Sequence, residues 1–377
     1  MPSFIPYGHQ YIDSQDIKYV NKVLKSDFIT QGPYIKKFED ALCEYTQAKY
    51  AVVVSNGTAG LHLACMAMDI IKKNSLVIVP AISFVATSNC LLYKDAKPVF
   101  CDVDKDTVNI SVECLKKLLN SKIKAVICVD FAGLPCDYEK IYALVKKTNT
   151  VIIQDACHSL GAVYKGSKVG SCKYSLVTVF SFHPVKSITT GEGGAVLTND
   201  RILYKRIQML RNHGMYKYRN SWYYQVRMLG FNYRMTDIQA SLGLSQLQKL
   251  DKFVRRREEI VKIYNEEFKE LKDYVELPRF YKDKKSSWHL YVVKLKGKFK
   301  NKRRHIFNFL RNRGIGVGVH YIPIYWHPLY QRMGYKKGLC PQAEDYYRRC
   351  LTLPLYPSMK DSQIKRVIKV FKDAFQK

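Results

Sequence analysis

The chain has 377 residues, of which 47% are hydrophobic and 25% are charged, a balance typical of globular proteins that excludes intrinsic disorder and collagen-like sequences. At roughly 150 residues per domain, this length predicts two or three domains. The formal net charge is +30, from 62 Lys and Arg against 32 Asp and Glu, so nucleic acids, anionic membranes and phosphate-bearing substrates all come into consideration as partners.

Two absences narrow the class of protein. No run approaches the roughly 18 to 20 apolar residues of a membrane-spanning helix, and the opening MPSFIPYGHQY lacks the charged and apolar regions of a signal peptide. We therefore expect a cytoplasmic protein without a membrane partner. The eleven cysteines are an odd number without a Cys-x-x-Cys pair, which favours reduced, buried thiols and predicts no metal site.

The N-terminal segment predicts two helices. Residues 14 to 26 have a helical pattern with Ser14 as the candidate N-cap. Pro33 suits the first turn of a second helix. The apolar face of that second helix would consist of Ile35, Phe38, Leu42 and Tyr45.

Seven short apolar runs then follow, with room for a helix between most of them. They are Ala51 to Val54, Leu76 to Val79, Val99 to Cys101, Ala125 to Val129, Val151 to Ile153, Leu176 to Phe180 and Ala195 to Leu197. Continuous apolar runs indicate strands that are covered on both faces. The pattern predicts an α/β fold with a buried, mostly parallel seven-stranded sheet.

The sequence changes character near residue 250. A long charged helix is predicted over Leu247 to Leu271, with short strands around Leu290 to Leu295 and Val317 to His320 and a last helix after Asp361. We assign residues 1–250 to a large domain with an N-terminal arm and 251–377 to a small α+β domain. The alternating lysines of Lys294 to Arg304 predict a solvated strand face, and since no nucleic-acid-binding motif accompanies them, we do not expect that partner.

Polar residues that directly follow the predicted strands are the first candidates for a site, because open parallel sheets bind ligands beyond the carboxyl ends of their strands. Ser55 to Ala59 is either a tight turn or a phosphate cradle at a helix N-terminus. Asp155 either caps the next helix or faces a cation. Phe84 is either a core residue or an aromatic face for a ligand, and Lys186 lies between a strand end and the glycine-rich Gly191 to Gly194.

Together these residues are more specific than each alone. A pyridine aldehyde with a phosphate needs a lysine for covalent attachment, an acid for the ring nitrogen, an aromatic face and a phosphate cradle. Lys186 and Asp155 offer the first two, and Phe84 offers the third. The cradle would consist of Gly57, Thr58 and Ser181. Pyridoxal 5'-phosphate is therefore the predicted cofactor.

Several stretches resemble the DegT/DnrJ/EryC1/StrS family of nucleotide-sugar aminotransferases over essentially the whole chain. They are SNGTAGLHLA, PAISFVATSN, DACHSLGA, FSFHPVKSITTGEGGAVLTND, RNHGM, FNYRMTDIQASLGLSQL and VHYIPIY. The resemblance implies the type I pyridoxal-phosphate fold (aspartate aminotransferase-like) and a homodimer that shares its active sites. Lys186 argues against the family's dehydratases, in which histidine replaces this lysine.

The resemblance also implies roles for further residues. Asn232 would reach the cofactor from the partner chain, and His158 would support the ring region. The sugar nucleotide would contact Tyr7, Ile29, Thr30, His320 and Tyr321.

The implied reaction moves the amino group of L-glutamate to the C4 keto group of a UDP-linked 4-keto-6-deoxy N-acetyl hexosamine, as in pseudaminic-acid biosynthesis. It yields 2-oxoglutarate and uses pyridoxamine phosphate as the intermediate form. ITQG, VDFAG, SFHPVK and HYIPIY are the motifs most similar to that subgroup. Gln154 and Asn56-Gly57 depart from its pattern and leave the sugar open. A dTDP- or GDP-linked 4-keto-6-deoxy sugar, amination at C3 and, more remotely, a nucleic-acid-binding protein on an inactive transferase scaffold are the alternatives.

Overall fold

The computed structural model describes residues 4–218 and 222–376. Within those residues the α-helices are α1 Ser14–Leu24, α2 Pro33–Thr46, α3 Gly57–Ala67, α4 Ala86–Leu92, α5 Val112–Leu118, α6 Tyr138–Val145, α7 Arg201–Arg211, α8 Asp237–Leu247, α9 Leu250–Glu267, α10 Arg303–Asn312, α11 Pro328–Arg332, α12 Pro341–Arg349 and α13 Asp361–Asp373.

The strands of the same residues form four sheets. In chain order they are β1 Tyr50–Val54, β2 Leu76–Pro80, β3 Lys97–Cys101, β4 Ile123–Val129, β5 Val151–Asp155, β6 Val163–Tyr164, β7 Ser167–Lys168, β8 Val177–Ser181, β9 Gly194–Thr198, β10 Met215–Lys217, β11 Tyr224–Val226, β12 Val275–Glu276, β13 Lys284–Lys285, β14 Tyr291–Leu295 and β15 Cys350–Leu353.

The main sheet has seven strands in the order β1-β9-β8-β5-β4-β2-β3. Strand β9 pairs antiparallel with both of its neighbours, and the strands from β8 to β3 pair in parallel. All seven predicted runs are strands of this sheet, each within two residues of its predicted bounds. The predicted α/β class and mostly parallel sheet are confirmed.

Successive residues of the strands enter cores on opposite faces of the main sheet. Val52 and Val54 of β1 pack with residues of α3 on one face, and Val53 packs with residues of α2 and α8 on the other. Burying each such side chain contributes about 1.5–3 kcal/mol relative to leaving it exposed. The sheet is therefore held from both sides, which fixes the edge where its parallel strands end.

The C-terminal region has its own three-stranded sheet, β12-β14-β15, and helix α9 connects the two cores. Phe253 of α9 lies in the core beside the main sheet, whereas Tyr264 lies in the core of the C-terminal region. Ile5 also belongs to that second core and bridges Ile315. Because α9 contributes to both cores and Ile5 belongs to the C-terminal one, the division into 1–250 and 251–377 stays a proposal.

Some predicted details of the elements were wrong. The N-cap of α1 is Asp13, whose carboxylate accepts from the backbone N–H groups of Gln15 and Asp16, so Ser14 is the first helical residue. The helix predicted over Leu247 to Leu271 is α9 and was predicted too long, since α9 spans only Leu250–Glu267. The predicted strand at Val317 to His320 is absent from the described residues, where Gly318 makes only an isolated bridge to Thr352.

The lysine-rich run is not a solvated strand face either. Strand β14 ends at Leu295, a 3₁₀ turn follows at Gly297–Phe299 and α10 begins at Arg303. The side chain of Lys294 is buried, with its Nζ 2.9 Å from the Glu276 carboxylate. Alternation of lysines was misleading because the strand ended inside the run.

Along residues 4–218 and 222–376, no helix is both long and apolar enough to span a bilayer. The same part of the chain brings no three His, Cys, Asp or Glu side chains together in a cluster suited to a metal ion. All eleven cysteines are free thiols, and eight of them are buried.

Candidate active site

A cavity of about 550 Å³ lies beyond the carboxyl ends of the parallel strands, which is where an open α/β sheet places its ligand. Its size is within the roughly 300–1,000 Å³ of small-molecule sites. We call it the sheet-edge cavity. Ten of the predicted site residues line it: Tyr7, Gly57, Thr58, Phe84, Asp155, His158, Ser181, Lys186, His320 and Tyr321.

The remaining three predicted site residues do not line the sheet-edge cavity within the described residues of one chain. Asn232 bridges Asn212, and Thr30 bridges Thr236. Ile29 is exposed at the surface. Their immediate neighbours Gln31, Gly32, Asn212 and Arg234 line a second cavity of about 300 Å³. The roles predicted for these three residues, including a contribution of Asn232 to a partner chain, stay predictions.

The turn after β1 is the start of a helix, and not only a tight turn. Asn56 is the N-cap of α3, and its side chain accepts from the backbone N–H of Ala59 at 2.8 Å. A Cβ at Gly57 would lie 2.8 Å from the Cβ of Ser181, so glycine lets the helix start against the end of β8. The first N–H groups of a helix have no intrahelical acceptor and attract anions. This corner can therefore cradle a phosphate.

Asp155 is the last residue of β5 and is buried. Its Oδ2 accepts from the Thr87 hydroxyl at 2.7 Å, and its Oδ1 accepts from the backbone N–H of Cys157 at 3.2 Å. A turn follows this residue rather than a helix, so the alternative of a helix cap is wrong. A buried carboxylate of this kind suits a cationic partner in the cavity.

Lys186 follows β8 in a turn in which its backbone N–H donates to the His183 carbonyl at 2.9 Å. Burial lowers the pKa of Lys186, and the nearby Cys157 and Asp155 groups oppose that shift only in part. A lowered pKa increases the neutral fraction of the amine, which is the form that acts as a nucleophile or base.

Two histidines near Lys186 are held in the neutral form. Burial, with a smaller contribution from the Lys186 charge, puts the pKa of His158 well below its ordinary value and lowers the pKa of His320 to about 4. His158 Nε2 lies 3.3 Å from the Tyr321 hydroxyl, and His320 Nδ1 lies 2.8 Å from the Thr352 hydroxyl. The side of the sheet-edge cavity at His158 and His320 therefore offers neutral hydrogen-bonding groups.

Aromatic rings also line the sheet-edge cavity. Phe84 is 56% exposed, so it is not a core residue; its ring lies 6.3 Å from that of Tyr321. The ring of Tyr7 lies 5.2 Å from His320. An exposed ring at a cavity mouth can cover a planar ligand.

Sequence reasoning missed further residues that line the sheet-edge cavity. They include Ser83, Thr87, Cys157, His183 and Glu192. His183 and Glu192 flank Lys186 within the stretch FSFHPVKSITTGEGGAVLTND, and Ser83 and Thr87 flank Phe84. Proximity in sequence to a predicted residue was therefore the available signal. A small phosphorylated aromatic aldehyde would find in this cavity an amine, a buried carboxylate, an aromatic face and a helix N-terminus.

The chain is similar to known proteins over almost its whole length. The profile of the DegT/DnrJ/EryC1/StrS aminotransferase family matches residues 10–372. A UDP-4-amino-4,6-dideoxy-N-acetyl-beta-L-altrosamine transaminase of Campylobacter jejuni (serotype O:23/36, strain 81-176) is 40% identical, covering 96% of this chain and 95% of its own length. A GDP-perosamine synthase of Escherichia coli O157:H7 is 36% identical, covering 96% of both chains.

Solved structures are similar over almost the whole chain. Helicobacter pylori PseC, an aminotransferase involved in the biosynthesis of pseudoaminic acid, has a TM-score of 0.95 at 35% identity, covering 99% of this chain and 100% of its own. The putative sugar aminotransferase Spr1654 from Streptococcus pneumoniae, solved in its PLP form, has a TM-score of 0.93 at 31% identity, covering 98% of both chains.

Proposed function

Because the chain belongs to the DegT/DnrJ/EryC1/StrS aminotransferase family, we propose that it is a pyridoxal-phosphate-dependent nucleotide-sugar aminotransferase. Its donor is L-glutamate, which leaves as 2-oxoglutarate. Its acceptor is the C4 keto group of a UDP-linked 4-keto-6-deoxy N-acetyl hexosamine. The relatives named for an altrosamine transaminase and for pseudoaminic acid biosynthesis support this substrate class.

The residues of the sheet-edge cavity fit the cofactor. The decisive feature is the corner at Gly57, where even a methyl group would meet Ser181 and Cys157. The N-terminus of α3 therefore closes one end of the cavity with backbone N–H groups, as a phosphate requires. Lys186 and Asp155 line the same cavity, where a lysine-linked pyridine ring needs an amine and an acid.

When bound, pyridoxal phosphate supplies an aldehyde that accepts the amino group and a ring that withdraws electrons from the reacting carbon. Lys186 would provide the amine that holds the cofactor and, in its free neutral form, a base for proton transfer. Burial of Lys186 favours this role, since a lowered pKa increases the neutral fraction of the amine.

Asp155, at the end of β5, would present its carboxylate to the ring nitrogen of the cofactor and favour the protonated form of that nitrogen. Two hydrogen bonds, from Thr87 and from the Cys157 backbone, fix the orientation of that carboxylate. Phe84 would cover the ring and exclude water, since its exposed side chain lies at the cavity. His158 faces the ring region through its contact with Tyr321.

The sugar nucleotide occupies the other end of the cavity, against Tyr7, His320 and Tyr321. Asn232, Ile29 and Thr30 lie outside the cavity of their own chain, and we propose that they complete the active site of a second copy in a homodimer. Their position beside the second cavity supports this arrangement. The excess of positive charge favours the approach of two anionic substrates.

The observation that carries the proposal is the presence of Lys186 and Asp155 in one cavity, near enough for their charges to interact. The test is a substrate panel. Purified enzyme loaded with pyridoxal phosphate is given glutamate and UDP-, GDP- or dTDP-linked 4-keto-6-deoxy sugars, and the 2-oxoglutarate is quantified while NMR locates the new amine.

We expect the UDP-linked N-acetyl hexosamine to react with the highest kcat/KM and to carry the amine at C4. Preference for a GDP-linked sugar would instead support the second candidate, which the 36% identical GDP-perosamine synthase favours. An enzyme that binds no pyridoxal phosphate and transfers no amine to any of these sugars would contradict both candidates.

A further inference from the structure

Two hydroxyl groups behind the sheet-edge cavity form a chain that ends on Asp155. The Thr87 Oγ1 lies 2.7 Å from Asp155 Oδ2, and the Ser83 Oγ lies 2.6 Å from Thr87 Oγ1. Both residues are buried, at 1% and 3% exposure. The family resemblance assigned no role to either of them.

The direction of this chain follows from its end. An ionised carboxylate only accepts hydrogen bonds, and a hydroxyl has one proton to donate. Thr87 therefore donates its proton to Asp155, which leaves its oxygen as the acceptor for the proton of Ser83. Each hydroxyl in the chain strengthens the donor character of the next.

The same turn of the chain also carries the aromatic ring of the site. The backbone N–H of Thr87 donates to the Phe84 carbonyl at 3.2 Å, so Phe84 and Thr87 are fixed relative to each other. The ring that covers the cofactor and the hydroxyl that holds its acid therefore belong to one structural unit. Asp155 receives its other hydrogen bond from the Cys157 backbone at the longer distance of 3.2 Å.

We propose that Thr87 is a positioning residue that orients the Asp155 carboxylate toward the ring nitrogen of the cofactor, with Ser83 supporting its hydroxyl. This inference rests on the proposed function, because it needs pyridoxal phosphate as the ligand. Hydrogen bonds to charged groups are worth roughly twice those between neutral groups, and loss of the Thr87 hydroxyl leaves only the longer bond from the Cys157 backbone to orient the carboxylate.

A pair of substitutions separates the hydroxyl from the shape of the side chain. Thr87→Val keeps the volume and removes the donor, whereas Thr87→Ser keeps the donor and removes a methyl group. Thr198→Val is the matched control, since Thr198 is equally buried and donates to the Leu176 carbonyl without lining the cavity.

The readouts are the dissociation constant of pyridoxal phosphate, from a titration of the apo protein, and the pH at which the visible absorbance of the bound cofactor changes. We expect Thr87→Val to weaken binding about tenfold and to shift that absorbance titration, because one hydrogen bond to a charged group is lost. Thr87→Ser and Thr198→Val should keep both values within about twofold, since neither loses that bond.

Wild-type affinity and an unshifted titration in Thr87→Val would overturn the inference. If Thr87→Val does not fold, Ser83→Ala decides the matter: weaker binding supports the hydroxyl chain, and unchanged binding overturns it. A wild-type protein that binds no pyridoxal phosphate would instead remove the proposed function itself, so the two failures are distinguishable.

Discussion

The two ends of the sheet-edge cavity are built in different ways. Its inner end consists of residues at or just beyond the ends of strands of the main sheet, among them Gly57, Asp155 and Ser181. Its outer end consists of Tyr7, His320 and Tyr321, which lie in irregular segments. The inner end is held by a sheet buried on both faces, whereas the outer end depends on contacts between distant parts of the chain.

These distant contacts are specific. The backbone N–H of Leu355 donates to the Tyr7 carbonyl at 3.0 Å, and His320 contacts Thr352 of β15. The outer end thus joins the N-terminal segment to the C-terminal sheet. In the proposed function the inner end, held by the buried sheet, would bind the cofactor and the separately built outer end would bind the sugar, so the sugar site could vary while the cofactor site stays the same.

The largest expected effect comes from breaking the inner end. Lys186→Ala removes the amine of the cavity, so we expect kcat to fall by roughly 100- to 10,000-fold, as the loss of a general acid–base group commonly does. Steady-state assays with glutamate measure it, and Lys18→Ala, at an exposed lysine of α1, is the control. Retention of more than a tenth of the activity would show that Lys186 is not the catalytic amine.

The next effect tests whether a second copy completes the outer end. Asn232→Ala should lower kcat/KM by about 10- to 100-fold, since a hydrogen bond to a charged group is worth roughly 1.5–3 kcal/mol. Subunits carrying Lys186→Ala and Asn232→Ala, each poorly active alone, are then mixed after mild dissociation. Shared sites predict recovery to about a quarter of wild-type activity, because half of the dimers regain one intact site. No recovery would mean that Asn232 serves its own chain.

A smaller effect concerns the neutral histidine of the outer end. The pKa of His320 is lowered to about 4, against about 6.5 in an unfolded chain. Between these values the unfolded state binds the proton, so stability is lost as the pH falls. From pH 7 to pH 5 this one group should cost about 2 kcal/mol of unfolding free energy.

His320→Gln should therefore lose less stability than the wild type over that pH range, as measured by urea unfolding. His305→Gln, at an exposed histidine of α10, is the matched control and should follow the wild type. Equal pH dependence in all three proteins would contradict a buried neutral His320.

The smallest expected effect tests whether the N-terminus of α3 at Gly57 cradles the phosphate. Gly57→Ala places a methyl group 2.8 Å from Ser181 Cβ and 3.2 Å from Cys157 Sγ, and such overpacking costs about 1–3 kcal/mol. We expect the affinity for pyridoxal phosphate to fall about tenfold, as measured by titration of the apo protein. Wild-type affinity would show that the start of α3 does not form the cradle.

The same contrast explains what the sequence could predict. Asp155 and Gly57 follow continuous apolar runs, so their meeting at one sheet edge follows from the parallel topology. Thr87 and Cys157 line the same cavity but were not predicted. Both act through hydrogen bonds to the Asp155 carboxylate, and the orientation of that carboxylate cannot be read from the sequence. Lys294 was misjudged because its partner Glu276 lies in another strand, a pairing that alternation within one segment does not reveal.

The outer end could be predicted only through resemblance. His320 ends a segment where a strand was expected and Tyr321 follows it, and the place of His320 in the cavity depends on contacts with β15 and with the N-terminal segment. Asn232 lies outside the cavity of its own chain. Local patterns in one sequence do not indicate which residues would contact a second copy of the chain. Local sequence patterns predict the position of residues that depend on one strand. They do not predict the position of residues that depend on contacts among several segments.

The proposed active site depends most on the identity of the amine that holds the cofactor. Purified protein is saturated with pyridoxal phosphate, reduced with borohydride and digested, and mass spectrometry locates the cofactor along the chain. We expect the label on the peptide that contains Lys186 and on no other lysine. A label at a different lysine, or no label in a protein that is folded and saturated, would contradict the assignment of the active site.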